Sequence, residues 1–188
     1  LVDFDNYTDI FYSFKQNFMN PGSTEAIFQS PMYDAWMGSG WSLGPQYASS
    51  WAGESHIVFS PTANYVNYYG MENGLPLDDP ESGFNKEQPW KGRDPRFYHD
   101  IVYDGLRVIQ NTSQFTQEQE DGKIQFANLY TGGNYRDINN QSRTGYLLRK
   151  FTPIVCNNYD EGFRDHGDGL TIQVSWMRLA DIYLMYAE

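Results

Sequence analysis

Ser175-Trp176-Met177-Arg178-Leu179-Ala180-Asp181-Ile182-Tyr183-Leu184-Met185-Tyr186-Ala187-Glu188 is the stretch on which the fold turns. It is rich in good helix formers, and its apolar residues fall around most of a helical circumference. The pattern predicts a strong helix buried on several sides. No Gly or Asn C-cap follows it, and no Pro stop. Such a helix is expected to continue, so the sequence is expected to be one partial region of a longer chain, residues 1–188, cut at both ends. It opens on Leu1-Val2-Asp3 with no initiator Met and no leader, which therefore says nothing about localisation.

Composition narrows the function classes. The 188 residues carry 13 basic and 24 acidic side chains, a net charge of −11. That argues against a non-specific nucleic-acid binder, whose affinity rests on neutralising phosphates, and disfavours docking on anionic lipid. A chain of this length buries about 70% of its unfolded surface and needs no disulfide staples. The lone Cys156 excludes an intrachain disulfide framework and a multi-Cys metal site. Aromatic residues make up 17%, with Tyr 15, Phe 12 and Trp 5, while mean hydropathy is −0.64. Many rings among many polar groups suit a loop-rich surface that stacks on and hydrogen-bonds to neutral polar ligands.

Local patterns set the organisation. Phe4, Tyr7, Phe11, Phe14 and Phe18, with Ile10, predict an aromatic core stripe on a helix from Phe4 to Met19, ended by Asn20-Pro21-Gly22. Glu25 to Gln29 is a short apolar run, expected as a buried strand. From Ser30 to Ser60 there is little periodicity, and Gly38, Gly40, Gly44 and Gly53 alternate with Trp36, Trp41, Tyr47 and Trp51. Long aperiodic loops in compact domains are usually functional. Ser60-Pro61-Thr62 predicts a helix start with Ser60 as N-cap, running to Tyr69. Leu75 to Lys91 is turn-rich. Asp94-Pro95-Arg96 predicts one short capped turn, followed by a strand over Phe97 to Tyr103. Thr112 to Gly133 is expected as loop or hairpin, Tyr146 to Phe151 as a strand, and Asn157 to Gly169 as an acidic loop.

Little of this is catalytic. Gly38-Ser39-Gly40-Trp41-Ser42-Leu43-Gly44 has the wrong last spacing and context for a dinucleotide fingerprint. There is no Gly-x-Ser-x-Gly elbow. His56, His99 and His166 lie in no metal-ligand spacing. Asp78/Asp79/Glu81 and Asp160/Glu161/Asp165/Asp168 offer hard oxygens that calcium takes, but neither follows the EF-hand pattern, and charge runs are usually solvated faces. No cofactor is implied. With 24 acids, chance carboxylate pairs are expected, so they argue neither for nor against glycoside hydrolysis.

Taken in order, several segments resemble the SusD/RagB family of nutrient-binding outer-membrane lipoproteins of Bacteroidetes-type bacteria. They are Glu25-Ala26-Ile27-Phe28; Pro61-Thr62 followed by Gly74-Leu75-Pro76; Arg93-Asp94-Pro95-Arg96-Phe97 followed by Tyr103-Asp104-Gly105; Gly145-Tyr146 through Arg149-Lys150-Phe151; and Arg178-Leu179-Ala180-Asp181 through Leu184-Met185-Tyr186-Ala187-Glu188. The resemblance implies a mainly α fold with irregular loops and a few short strands. A tetratricopeptide-type helical scaffold would lie mostly outside this segment. It implies a lipid-anchored protein facing the exterior on the cell outer membrane. Such a protein binds oligosaccharides or polysaccharides, or in some members peptides, and delivers them to a TonB-dependent SusC-like transporter without chemistry.

The motifs themselves are structural, and ligand-facing residues in the family vary, so the site is chosen by chemistry. Sugar rings need exposed flat rings plus groups that fix hydroxyls. Trp41, Tyr47 and Trp51 are the first choices for stacking, with Trp36 set beneath them; Tyr68, Tyr69, Asn73 and Trp90 follow. Two other classes stay open: a glycoside hydrolase fragment, and a peptide- or protein-binding helical-repeat module.

Overall fold

A computed structural model describes residues 12–14, 25–29, 33–34, 60–136, 142–150, 159–160, 170–172 and 175–188. In chain order the elements are strands β1 (Tyr12–Phe14), β2 (Ala26–Gln29) and β3 (Tyr33–Asp34); helices α1 (Ala63–Asn67) and α2 (Pro95–Asp100); strand β4 (Ile101–Val102); helix α3 (Gln117–Asp121); strands β5 (Leu147–Leu148), β6 (Leu170–Ile172) and β7 (Ser175–Arg178); and helix α4 (Leu179–Ala187). The architecture is therefore short helices, short strands and long irregular connections. β6 lies between β1 and β3, β2 pairs with β7, and β4 pairs with β5, all antiparallel.

Capping chemistry explains where the helices begin. α1 starts on Thr62, whose hydroxyl accepts from the Tyr65 amide, so the cap lies two residues beyond the expected Ser60. The helix ends at Asn67 rather than Tyr69. α2 starts on Asp94 with Pro95 at its first position, as expected, but continues for six residues to Asp100. The strand expected over Phe97 to Tyr103 is thus confined to Ile101–Val102. α3 was not expected at all: Thr116 caps the Gln119 amide while the Gln119 side chain accepts from the Thr116 amide.

Longer-range pairing overrides local pattern at both ends. The heptad-like aromatic spacing predicts helix through Tyr12–Phe14, yet these residues form a strand laddered to Leu170–Ile172. Backbone pairing with a distant segment outweighs a local 3.6-residue period; residues 4–11 and 15–19 lie outside the described residues. Ser175–Arg178, expected as the first turn of the last helix, is instead the strand that pairs with β2. The β2 residues Ile27 and Phe28 are exposed, so this strand is not the buried one predicted. α4 is exposed too: Tyr183, Leu184, Met185 and Tyr186 all face solvent, because among the described residues its principal packing is on β7 alone.

Two apolar clusters carry the described interior. Val102, Val108, Ile109, Ala127, Leu129, Tyr135 and Leu147 form one, and Val66, Phe97 and Ile101 form the other. β4 joins them, since Ile101 belongs to one and Val102 to the other. Arg93 is buried beside the second cluster. Its guanidinium donates to the carbonyls of Val66 (2.8 Å), Tyr69 (2.5 Å), Gly70 (3.3 Å) and Pro89 (2.7 Å), and lies 4.8 Å from the Phe97 ring centre. Burial pushes its pKa down. The fork-shaped donor set matches a cluster of carbonyls that a point charge would satisfy only in part.

Candidate functional site

An opening of about 430 Å³ with aromatic walls lies between the turn that carries Trp90, the end of β4, and the loops around 130 and 145. Trp90, Tyr130 and Tyr146 supply rings; Asp104, Thr131, Arg136 and Thr144 supply polar groups. A few convergent polar groups among aromatic walls is the usual composition of a small-ligand site.

Each wall is held by an identifiable contact. The Trp90 ring stacks on Tyr103 at 6.3 Å, and Tyr103 stacks on buried Phe97 at 5.5 Å. The Trp90 carbonyl accepts from the Tyr98 hydroxyl, and the preceding carbonyl of Pro89 accepts from Arg93. The ring is therefore backed and its backbone pinned before any ligand arrives. Asp104 Oδ1 accepts from the amides of Leu129 (2.6 Å) and Tyr130 (3.1 Å), which fixes the loop bearing exposed Tyr130. Burial raises the pKa of Tyr146 and of Tyr103, so both rings remain neutral phenols at ordinary pH. Thr144 donates to the Pro61 carbonyl and Ser142 to the Tyr146 carbonyl, tying the 142–146 loop to the start of α1. Gly145 has a φ of +85°, which an L side chain rarely adopts, and a Cβ there would stand 2.7 Å from Arg136 Nη1.

The residues chosen from sequence divide three ways. Trp36, Trp41, Tyr47 and Trp51 lie outside the described residues, as do Cys156, His56 and His166. Trp90 is in the groove. Tyr68, Tyr69 and Asn73 are elsewhere. Tyr68 is exposed on α1's C-terminal side. Tyr69 donates to Asp100 Oδ2 at 2.8 Å, and burial first, then its bonds to Tyr65 and Asp100, push its pKa well up. Asn73 accepts from the Leu75 amide and donates to carbonyls of Glu81 and Ser82, and it borders a second, polar depression of about 350 Å³ with Glu72, Gln88 and Lys91.

The choice by chemistry missed Asp104, Tyr130, Arg136 and Tyr146. Tyr130 had a signal, an aromatic beside the Thr131-Gly132-Gly133 turn. Arg136 had none. Among the described residues no group of three or more His, Cys, Asp or Glu could hold a metal ion. Asp79 of the first acidic run accepts from the Glu81 amide, and Asp160 of the second accepts from the Gln110 and Asn111 amides; Glu161, Asp165 and Asp168 lie outside the described residues. No helix among the described residues is long and apolar enough to cross a membrane.

The segments that carry the family resemblance meet in space. β2 pairs with β7, and Arg178 lies 3.7 Å from Glu25. β4 pairs with β5, and the Arg149 and Lys150 amides donate to the Asp100 carbonyl. Arg93 holds three carbonyls at the end of α1. The fold is similar to the crystal structure of a SusD-like protein from Bacteroides fragilis, with a TM-score of 0.60 and 20% identity. That match covers 98% of this chain and 35% of the other, so the chain spans about a third of that relative's length. No curated protein sequence matches. The SusD family model matches residues 24–188, nearly the whole chain. Motif order, the contacts between motifs and the family match agree, and the chain belongs to the SusD family.

Proposed function

We propose that this chain is a glycan-binding region of a cell-surface nutrient-uptake protein and that it catalyses no reaction. In this reading it is part of a longer protein, lipid-anchored on the exterior face of the outer membrane. It captures oligosaccharides for a TonB-dependent SusC-like transporter. Family membership supports the class, since SusD-like proteins are binding proteins rather than enzymes.

The observation that carries the reading is the groove: the Trp90 platform and the rings of Tyr130 and Tyr146 beside Asp104, Thr131 and Arg136. Pyranose rings present apolar C–H faces to such rings and hydroxyls to such polar groups. A backed Trp loses little freedom on binding, which favours affinity. Trp41, Tyr47 and Trp51, and after them Trp36, are proposed as further stacking residues.

Calorimetric titration of the full-length protein against soluble polysaccharides and peptides tests this. Binding to at least one glycan is expected, weakened about tenfold or more by Tyr130→Ala or Trp90→Ala with the fold intact. Trp41→Ala and Trp51→Ala should weaken it too if that loop shares the ligand. Failure with every glycan overturns the reading. Release of products from the same glycans, abolished by a single Asp or Glu substitution, would establish the hydrolase alternative instead.

A further inference from the structure

We propose that this groove selects a glycan unit bearing a carboxylate, a uronate, and that Arg136 is the residue that recognises it; this rests on the glycan-binding function above. Arg136 is half-buried and lines the groove with Trp90, Tyr130 and Tyr146. Its backbone amide is engaged with the Gly133 carbonyl at 3.0 Å. Its guanidinium, by contrast, has no hydrogen-bond or ion-pair partner among the described residues. The acid in the same groove does not neutralise it: no ion pair joins Asp104 to Arg136 within 4.0 Å, and Asp104 Oδ1 is committed to two backbone amides.

A guanidinium drawn partly out of water and left unpaired is costly, unless a ligand supplies the missing acceptor. Only a residue without Cβ at 145 leaves Nη1 where it stands, against the Gly145 backbone. The planar fork of Arg matches a carboxylate with two parallel bonds. Aromatic rings lining the same groove suit the ring that a uronate carboxylate is attached to. The net charge of −11 opposes long polyanions at a distance, but screening over about 8 Å at physiological salt leaves the contact pair dominant for short oligosaccharides.

The test titrates the full-length protein with short oligosaccharides of galacturonate, of glucuronate and of alginate uronates, each beside its carboxyl-reduced counterpart and a sulfated neutral oligosaccharide. At least one uronate should bind about tenfold or more tightly than its reduced form. Arg136→Gln should erase that difference between the acidic and the reduced form, and Arg136→Lys should restore part of it. Equal binding of acidic and reduced forms, equal binding of the sulfated sugar, or an unchanged preference in Arg136→Gln each overturns the uronate assignment while glycan binding stands. Binding of no glycan of any kind overturns both. Among the described residues Arg136 makes no side-chain hydrogen bond, so Arg136→Gln orphans no acceptor there and should melt with the parent.

Discussion

Replacing Arg93 by alanine removes a guanidinium that touches four carbonyls and two aromatic rings. The four carbonyls do not suffer equally. Val66 O keeps the Tyr69 amide at 3.2 Å, and Gly70 O keeps the Asp94 amide at 2.9 Å. Tyr69 O and Pro89 O lose their only hydrogen bond among the described residues. Each orphaned carbonyl costs about 1–3 kcal/mol, and loss of the ring contact with Phe97 adds about 1 kcal/mol. Removing a buried charge returns part of that, so the expected loss is about 3–5 kcal/mol. That is a large share of the ~5–15 kcal/mol that holds a typical domain together. Arg93→Lys keeps the charge but reaches fewer carbonyls and should lose about 2 kcal/mol. Urea denaturation followed by Trp fluorescence measures both. Binding should fall as well, because Pro89 precedes the Trp90 platform. A loss under about 1 kcal/mol for Arg93→Ala would refute the role given to this side chain.

Three further outcomes are expected. Thr116→Ala removes one arm of the α3 capping box and should cost about 1 kcal/mol in urea denaturation. Gly133→Ala places a Cβ 2.2 Å from the Asn128 carbonyl oxygen, a backbone atom that cannot step aside, and should destabilise by at least about 2 kcal/mol with Tyr130 losing its fixed position. Asp94 has its pKa lowered chiefly by the side-chain bond from Arg96, so its folded value lies below its unfolded one. Its contribution is present above the unfolded carboxylate range and is lost as pH falls through the folded value. Arg96 is largely exposed, so wild type should exceed Asp94→Asn by under about 1 kcal/mol at neutral pH, with the gap closing below about pH 4.

Much of the local chemistry was legible. The Asp94-Pro95 start of α2, the turns from Leu75 to Lys91 and the strand in Leu147–Leu148 follow from residue types whose backbone preferences are strong. The Thr116-x-x-Gln119 box was equally visible and was lost in a polar background. What could not be read was pairing. Nothing in Tyr12–Phe14 names Leu170–Ile172 as its partner, and nothing in Ser175–Arg178 says that β2 will take it as a strand before the helix starts. The groove shows the same limit. Trp90 could be selected as a flat ring near turns, whereas Arg136 is selected only by its place in the groove, and that place exists only in the fold.

The motif residues and the groove are linked by division of labour. Asp104, Gly145 and Tyr146 belong to segments that carry the family resemblance, and each both builds the fold and borders the groove. Asp104 orders the Tyr130 loop, Gly145 leaves room for Arg136, and Tyr146 is half-buried against the interior. Tyr130, Thr131 and Arg136 come from the stretch between motifs and face the opening. A scaffold arranged so can change its ligand by changing three side chains without disturbing a single strand pairing. A triple substitution of Tyr130, Thr131 and Arg136 should therefore leave the stability measured in urea within about 0.5 kcal/mol of wild type while abolishing binding, whereas Asp104→Ala should lower both, since it strips the Leu129 and Tyr130 amides of their acceptor.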